Sequence, residues 1–95
     1  MRLDQFLRAS RLVLRRKIAQ ELCEMGAVVV NGARARSSRE VRVGDEISLR
    51  RWDDQVLTVR VTSVPAVRQT SKEQAATLYE IVSSERVEGA EDFVP

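Results

Sequence analysis

The hydrophobic and polar positions at the start of the chain recur with the spacing of a helix. Arg2 precedes a run whose apolar or small positions lie three and four residues apart, and these predict the inner side of a first helix: Leu3, Phe6, Leu7 and Ser10. Asp4 near its start and Arg8 near its end suit the helix dipole. The pattern breaks around residues 11–13, so we expect the helix to end there.

A second helical pattern covers residues 14–25. Ile18, Leu22 and Met25 lie four and three positions apart, and we expect this stripe to be the buried face. Gly26 is placed to end the helix in a left-handed conformation. Cys23 lies beside the stripe and is interpreted as a small buried hydrophobe.

The period then changes to that of strands. Three valines at 28–30 lead into Asn31-Gly32, which is typical of a tight type I′ hairpin, and residues 33–36 begin the return strand. Further strands are predicted after the turn at Gly44-Asp45, where Ile47 and Leu49 share a face, and along the alternating apolar positions Leu57, Val59 and Val61.

A third helix is predicted to start at Ser71, which forms a capping box with Gln74. Its apolar stripe is expected to be Ala75, Leu78, Tyr79 and Val82. Residues 85–95 are acidic and poor in apolar side chains, so we expect a disordered tail. The fold class that these elements predict is α+β: two N-terminal helices against a small twisted sheet, with the third helix on the far side.

Charge divides the chain into two unequal halves. The net charge of the 95 residues is only +2, but residues 1–50 have a net charge of +5 and residues 51–95 a net charge of −3. Such asymmetry suggests contact with nucleic acid or anionic lipid, while a merely solvated basic surface explains the charge equally well.

The residue types present argue against catalysis. The chain has no histidine, a single cysteine and no glycine-rich phosphate loop, so we expect neither an enzyme nor a metal or cofactor site. The lone cysteine favours a reducing cytoplasm, and no apolar run approaches the ~20 residues of a membrane span.

The candidate binding residues are mostly arginines, whose planar guanidinium suits phosphate and stacking on bases. The two N-terminal helices supply Arg2, Arg8, Arg11, Arg15, Arg16 and Lys17, and the hairpin region supplies Arg34, Arg36, Arg39 and Arg42. Ser10 is either a local hydrogen-bonding residue at the helix end or an RNA contact. Few aromatics accompany the charge, which favours structured RNA over a single strand as ligand.

The segment "MRLDQFLRASRL…RRKIAQELCEMGAVVVNGARARSSREVRVGDEI" resembles the S-four RNA-binding domain, with its RLD-x-FL, S-R, G-x-V-x-VNG and V-x-x-GD-x-I elements. The resemblance implies the αL RNA-binding motif over residues 1–64. The segment "LTVRVTSVPAVRQTSKEQAATLYEIVSSERV" resembles the extension of small stand-alone members. We expect residues 65–84 to form a C-terminal helical extension and residues 85–95 to be the tail. Those members are the RqcP-type ribosome-quality-control proteins and, more distantly, the fifteen-kilodalton bacterial heat-shock protein.

What the resemblance implies is a cytoplasmic role on the large ribosomal subunit that still carries peptidyl-tRNA. The expected partners are ribosomal RNA, the tRNA and a factor that adds alanine tails to the stalled nascent chain, with the protein a monomer off the ribosome. Two alternatives stay open: a binder of free tRNA or messenger RNA, and an accessory RNA-binding fragment of an RNA-modifying enzyme.

Overall fold

The fold combines helices with one antiparallel sheet. The structure, a computed structural model, describes residues 1–51, 54–65 and 70–86. The helices of this part are α1 (Leu3–Ala9), α2 (Arg16–Glu24) and α3 (Lys72–Ala76); the strands are β1 (Val28–Val30), β2 (Ala33–Arg34), β3 (Glu46–Arg50), β4 (Gln55–Val61) and β5 (Tyr79–Arg86). The strand order is β2-β1-β3-β4-β5, with every neighbouring pair antiparallel. The predicted α+β class is confirmed.

The core lies between α1 and the inner face of the sheet. Leu3, Phe6 and Leu7 of α1 are fully buried, as the spacing predicted. The sheet contributes the inner residues of three adjacent strands: Val28, Val30, Ile47, Leu49, Val59 and Val61. Burial of these side chains at about 1.5–3 kcal/mol each is the main stabilising contribution to a domain of this size.

Three backbone positions have the left-handed conformation that the sequence predicted. Asn31 and Gly32 have φ angles of 52° and 82°, the left-handed conformations of a type I′ turn, and they join β1 to β2. Gly26 has a φ of 77° and ends α2. The return strand was predicted to begin over residues 33–36, but β2 covers only Ala33–Arg34.

The predicted phase of the second helix is wrong. α2 begins at Arg16, and its buried residues are Ala19 and Cys23. Ile18 is 42% exposed, Met25 is 74% exposed and Leu22 is half-buried at the edge of the core. The physical reason is that α2 packs against α1 through small side chains, which let the two helices approach closely. The bulkier apolar residues are therefore turned outwards or to the edge.

The predicted third helix is also wrong beyond its first turn and a half, and the predicted helical extension over residues 65–84 is wrong for residues 79–84, which form a strand. The capping box of Ser71 and Gln74 forms as predicted, but α3 ends at Ala76. Tyr79 starts a strand that continues the sheet along β4, with Tyr79 opposite Val61. Tyr79 is aromatic and Ile81 and Val82 are β-branched, which favours a strand wherever an open sheet edge offers a partner. Leu78 is buried and Tyr79 packs against the core, so their predicted packing role is confirmed.

The start of the predicted tail is ordered. Glu85 and Arg86 belong to β5, opposite Val56 and Gln55, which corrects the prediction of disorder for those two residues. Residues 87–95 lie outside the described part of the chain, so the remainder of that prediction is untested.

Candidate nucleic-acid interface

A buried carboxylate, Asp4, lies at the junction of α1 and α2. Its side chain is 0% exposed, yet it bears several strong contacts. The backbone N–H of Gln5 donates to Oδ1 at 2.8 Å, while Arg16 Nε and Gln20 Nε2 donate to Oδ2 at 3.2 and 2.9 Å. Arg2 Nε lies 3.7 Å from Oδ1. The carboxylate therefore holds two guanidinium groups, one from each side of the helix junction.

The contacts of Asp4 outweigh the cost of its burial. Burial alone raises the pKa of this carboxyl, but hydrogen bonds from Gln20, Arg16 and the Gln5 backbone hold the pKa below its ordinary value of 3.8. Asp4 is accordingly ionised at neutral pH. Its negative charge compensates a cation that would otherwise be unfavourable in the first turn of α2.

Arg16 is consequently part of the structure as well as of the surface. The candidate binding residue Arg16 is 42% exposed, and its Nε is bound to Asp4. Its neighbours Arg15 and Lys17 are exposed and pair with no residue that the structure describes. No side chain caps the start of α2, so the first N–H groups of this helix are open to an anion.

The other end of α1 holds a second group of predicted residues. Ser10 is 2% exposed and its hydroxyl donates to the Leu7 carbonyl at 3.1 Å, so the local hydrogen bond is observed and Ser10 is not part of the surface. Arg11 has a φ of 61° and its Nη2 donates to the Thr70 carbonyl at 3.2 Å. Arg8 is exposed.

The hairpin arginines are held by different partners. Arg34 Nη2 donates to the Glu24 carbonyl at the end of α2, where a cation is favourable. A Cβ on Gly26 would lie 3.2 Å from Arg34 Cζ, so the glycine leaves room for this guanidinium. The Arg36 side chain is exposed and makes no hydrogen bond or ion pair to a described residue.

Asp45 organises the turn before β3 and with it Arg39 and Arg42. Arg39 Nη1 donates to Oδ2 at 3.2 Å, the Arg42 backbone N–H donates to Oδ2 at 2.9 Å and Asn31 Nδ2 donates to Oδ1 at 3.0 Å. Burial raises the pKa of Asp45, but these three hydrogen bonds outweigh it and hold the pKa low. The Arg42 side chain itself is exposed.

Seven of the eleven predicted residues thus lie at three different places on the domain. Arg2, Arg34 and Arg36 line one groove, and Arg2 shares Asp4 with Arg16. Arg39 and Arg42 lie around Asp45, and Arg11 lies beside Thr70. From the sequence alone, Asp4 was assigned only a role at the start of the first helix. The available signal was the four-residue spacing of Arg16 and Gln20, which places two polar side chains on the face beside Ala19 and Cys23.

The described residues hold no group of three histidine, cysteine or acidic side chains able to bind a metal ion. Burial, with the nearby Asp4 and Glu24 carboxylates, raises the pKa of the Cys23 thiol to about 11, so the thiol is inert at neutral pH. None of the described helices has the length and apolar character needed to cross a membrane.

Comparison of the sequence with known proteins identifies the family of this chain. Residues 1–47, which contain every predicted binding residue, match the S4 domain family. The RQC P-site tRNA stabilizing factor of Halalkalibacterium halodurans is 42% identical over 96% of this chain and 100% of its own length. The chain belongs to the RQC P-site tRNA stabilizing factor family.

Two further comparisons support this family assignment. The RQC P-site tRNA stabilizing factor of Streptococcus pneumoniae is 41% identical over 93% of this chain and 97% of its own. The trimeric structure of Vibrio cholerae Heat Shock Protein 15 superposes with a TM-score of 0.79 at 30% identity, covering 99% of this chain and 92% of that one. The predicted resemblance to the S-four domain, to the quality-control proteins and to the heat-shock protein is confirmed.

Proposed function

We propose that this protein is a non-catalytic RNA-binding factor of ribosome-associated quality control in the cytoplasm. It binds the large ribosomal subunit that carries peptidyl-tRNA and stabilises the tRNA in the P site while the stalled nascent chain is processed. The observation that carries the proposal is the relationship to RQC P-site tRNA stabilizing factors over 96% of the chain. The positions of the basic residues at the start of α2 support the proposal.

The start of α2 is the part of this surface best suited to RNA phosphates. Its uncapped N–H groups and the positive end of the helix dipole favour an anion, and Arg15 and Lys17 stand beside them without a described partner. Arg16 is oriented by Asp4, so less side-chain entropy is lost when it contacts RNA. Ribosomal RNA and peptidyl-tRNA supply the phosphates.

The same proposal includes a partner and an assembly state. The protein acts with a factor that adds alanine to the stalled nascent chain, and it is a monomer off the ribosome. Light scattering coupled to gel filtration tests the monomer, with a trimer, the assembly named for the Vibrio cholerae structure, as the contrary result.

The test compares two exposed arginines whose side chains make no hydrogen bond or ion pair to a described residue: Arg15 at the start of α2 and Arg51 beyond β3. We expect Arg15→Glu to weaken binding to large subunits carrying peptidyl-tRNA by more than tenfold, about 1.4 kcal/mol or more, and Arg51→Glu to stay near wild type. Arg16→Glu is unsuitable, because it would set a second carboxylate beside buried Asp4.

The measurement is co-sedimentation across a salt series, with circular dichroism to check that each variant is folded. Subunits without tRNA and free tRNA are measured in parallel. Equal affinity for free tRNA would favour the alternative of a free-tRNA binder, and a folded Arg15→Glu variant that binds like wild type would contradict the proposed surface.

A further inference from the structure

The turn that joins α1 to α2 contains a backbone position that is unfavourable for most residues. Arg11 has a φ of 61°, in the left-handed region that non-glycine residues rarely occupy. Such a conformation persists only where surrounding contacts fix it, and it is found most often at functional places in a fold. The contacts that hold this turn therefore bear on what the turn does.

One residue from the C-terminal half of the chain, Thr70, contacts this turn twice. Its hydroxyl donates to the Ala9 carbonyl, and its own carbonyl accepts from Arg11 Nη2 at 3.2 Å. The two contacts join positions that are 61 and 59 residues apart in the sequence. The Ala9 carbonyl belongs to the last turn of α1 and has no N–H partner within the helix, so Thr70 supplies a donor that the helix lacks.

The two contacts of Thr70 depend on each other. The hydroxyl fixes residue 70 against the end of α1, and the carbonyl of the same residue then lies within reach of the Arg11 guanidinium. Thr70 is half-buried, whereas the Arg11 side chain is exposed. The bond to Thr70 uses one of the five N–H donors of a guanidinium, so the other donors stay available to a phosphate.

We propose that Thr70 is a positioning residue for RNA binding, which orients the Arg11 guanidinium through its two contacts with the turn between α1 and α2. The inference deepens the proposed function and rests on it, because this turn leads into the start of α2, where Arg15 and Lys17 lie. A guanidinium that is held before RNA arrives loses less conformational entropy on binding than a free one. Thr70 contributes in this way although it lies outside residues 1–47, which match the S4 domain.

The test measures co-sedimentation of the full chain with large subunits carrying peptidyl-tRNA across a salt series. Thr70→Val removes the hydroxyl donor and leaves every charge in place, whereas Thr70→Ser keeps the hydroxyl. Thr62→Val is the matched control, because the Thr62 hydroxyl donates to the Thr77 carbonyl at 2.8 Å, away from α1. We expect Thr70→Val to weaken binding about three- to tenfold and to lower the salt slope by about one, which corresponds to one lost phosphate contact. Thr70→Ser and Thr62→Val should bind like wild type.

Arg11→Gln shows whether Thr70 acts through Arg11. In that variant Thr70→Val should cause no further loss of affinity, because the side chain that Thr70 positions is already gone. A folded Thr70→Val variant that binds like wild type overturns the inference. An unchanged salt slope, or an equal loss of affinity in the Arg11→Gln background, also overturns it, since Thr70 would then act through the stability of the fold alone.

Arg15→Glu separates this inference from the proposed function. If Arg15→Glu binds weakly while Thr70→Val and Arg11→Gln bind like wild type, the RNA-binding role stands and only the role of Thr70 fails. If Arg15→Glu also binds like wild type, the proposed surface fails as well. Circular dichroism checks the fold of each variant, and if Thr70→Val does not fold, wild-type binding by Arg11→Gln still overturns the inference.

Discussion

Replacing Asp4 by asparagine tests whether the buried carboxylate holds the helix junction together. Both carboxylate oxygens of Asp4 accept hydrogen bonds, but an asparagine side chain replaces one of them with an NH2 group, which donates. In one orientation this NH2 group faces the Gln5 N–H, and in the other it faces the Arg16 and Gln20 donors. At least one hydrogen bond is then lost and a buried donor is left unpaired. We expect Asp4→Asn to lower the free energy of unfolding at neutral pH by about 1.5–3 kcal/mol.

The pH dependence gives the same experiment a second readout. A carboxyl whose folded pKa lies below its ordinary value of 3.8 contributes stability that is present in full above that value. The contribution is lost as the pH falls through the folded pKa. The stability difference between wild type and Asp4→Asn should therefore be constant from pH 7 to about pH 5 and shrink at lower pH.

The assay is urea denaturation followed by circular dichroism at several pH values. Asp54→Asn is the matched control, because Asp54 pairs with Arg50 on the surface and is 53% exposed. A surface pair contributes only about 0–1 kcal/mol, so this variant should stay close to wild type. A loss below 0.5 kcal/mol for Asp4→Asn at pH 7, or a difference that grows as the pH falls, would refute the reasoning.

Two further predictions concern the core and the thiol. Leu7→Ala should lower the free energy of unfolding by about 2–5 kcal/mol, because it leaves a cavity in the core. The Leu14 side chain is 76% exposed, so Leu14→Ala should lower it by less than about 0.5 kcal/mol. Chemical denaturation that gives equal losses for the two variants would show that the buried face of α1 is misassigned. Because the pKa of Cys23 is raised to about 11, a thiol-specific reagent at pH 8 should modify the native protein far more slowly than the urea-unfolded protein. Equal rates would contradict its burial.

Much of the fold could be predicted because local chemistry and tertiary packing agree there. The local pattern and the final structure agree in three places: the apolar spacing of α1, the left-handed positions at Asn31-Gly32 and Gly26, and the alternation of β4. In α2 the local hydrophobic pattern and the tertiary packing disagree. The most hydrophobic stripe was Ile18, Leu22 and Met25, but close helix packing and the partners of Asp4 select the face of Ala19 and Cys23 instead.

The candidate site was only partly predictable for a related reason. The sequence identified which residues are cationic, but which of them are fixed depends on contacts between distant segments, such as Asp4 with Arg16 and Glu24 with Arg34. Burial of Ser10 likewise follows from the packing of α1. The change from helix to strand at Tyr79 depends on the open edge of β4, which no local pattern reveals.

The most direct test of the central claim is a cryo-electron microscopy map of large subunits isolated from cells through the tagged protein. The account predicts density for this chain beside a tRNA in the P site, with α1, the start of α2 and the groove of Arg34 and Arg36 facing RNA phosphates. Particles without tRNA, or a chain that meets RNA through the outer face of the sheet with α2 turned to solvent, would contradict it.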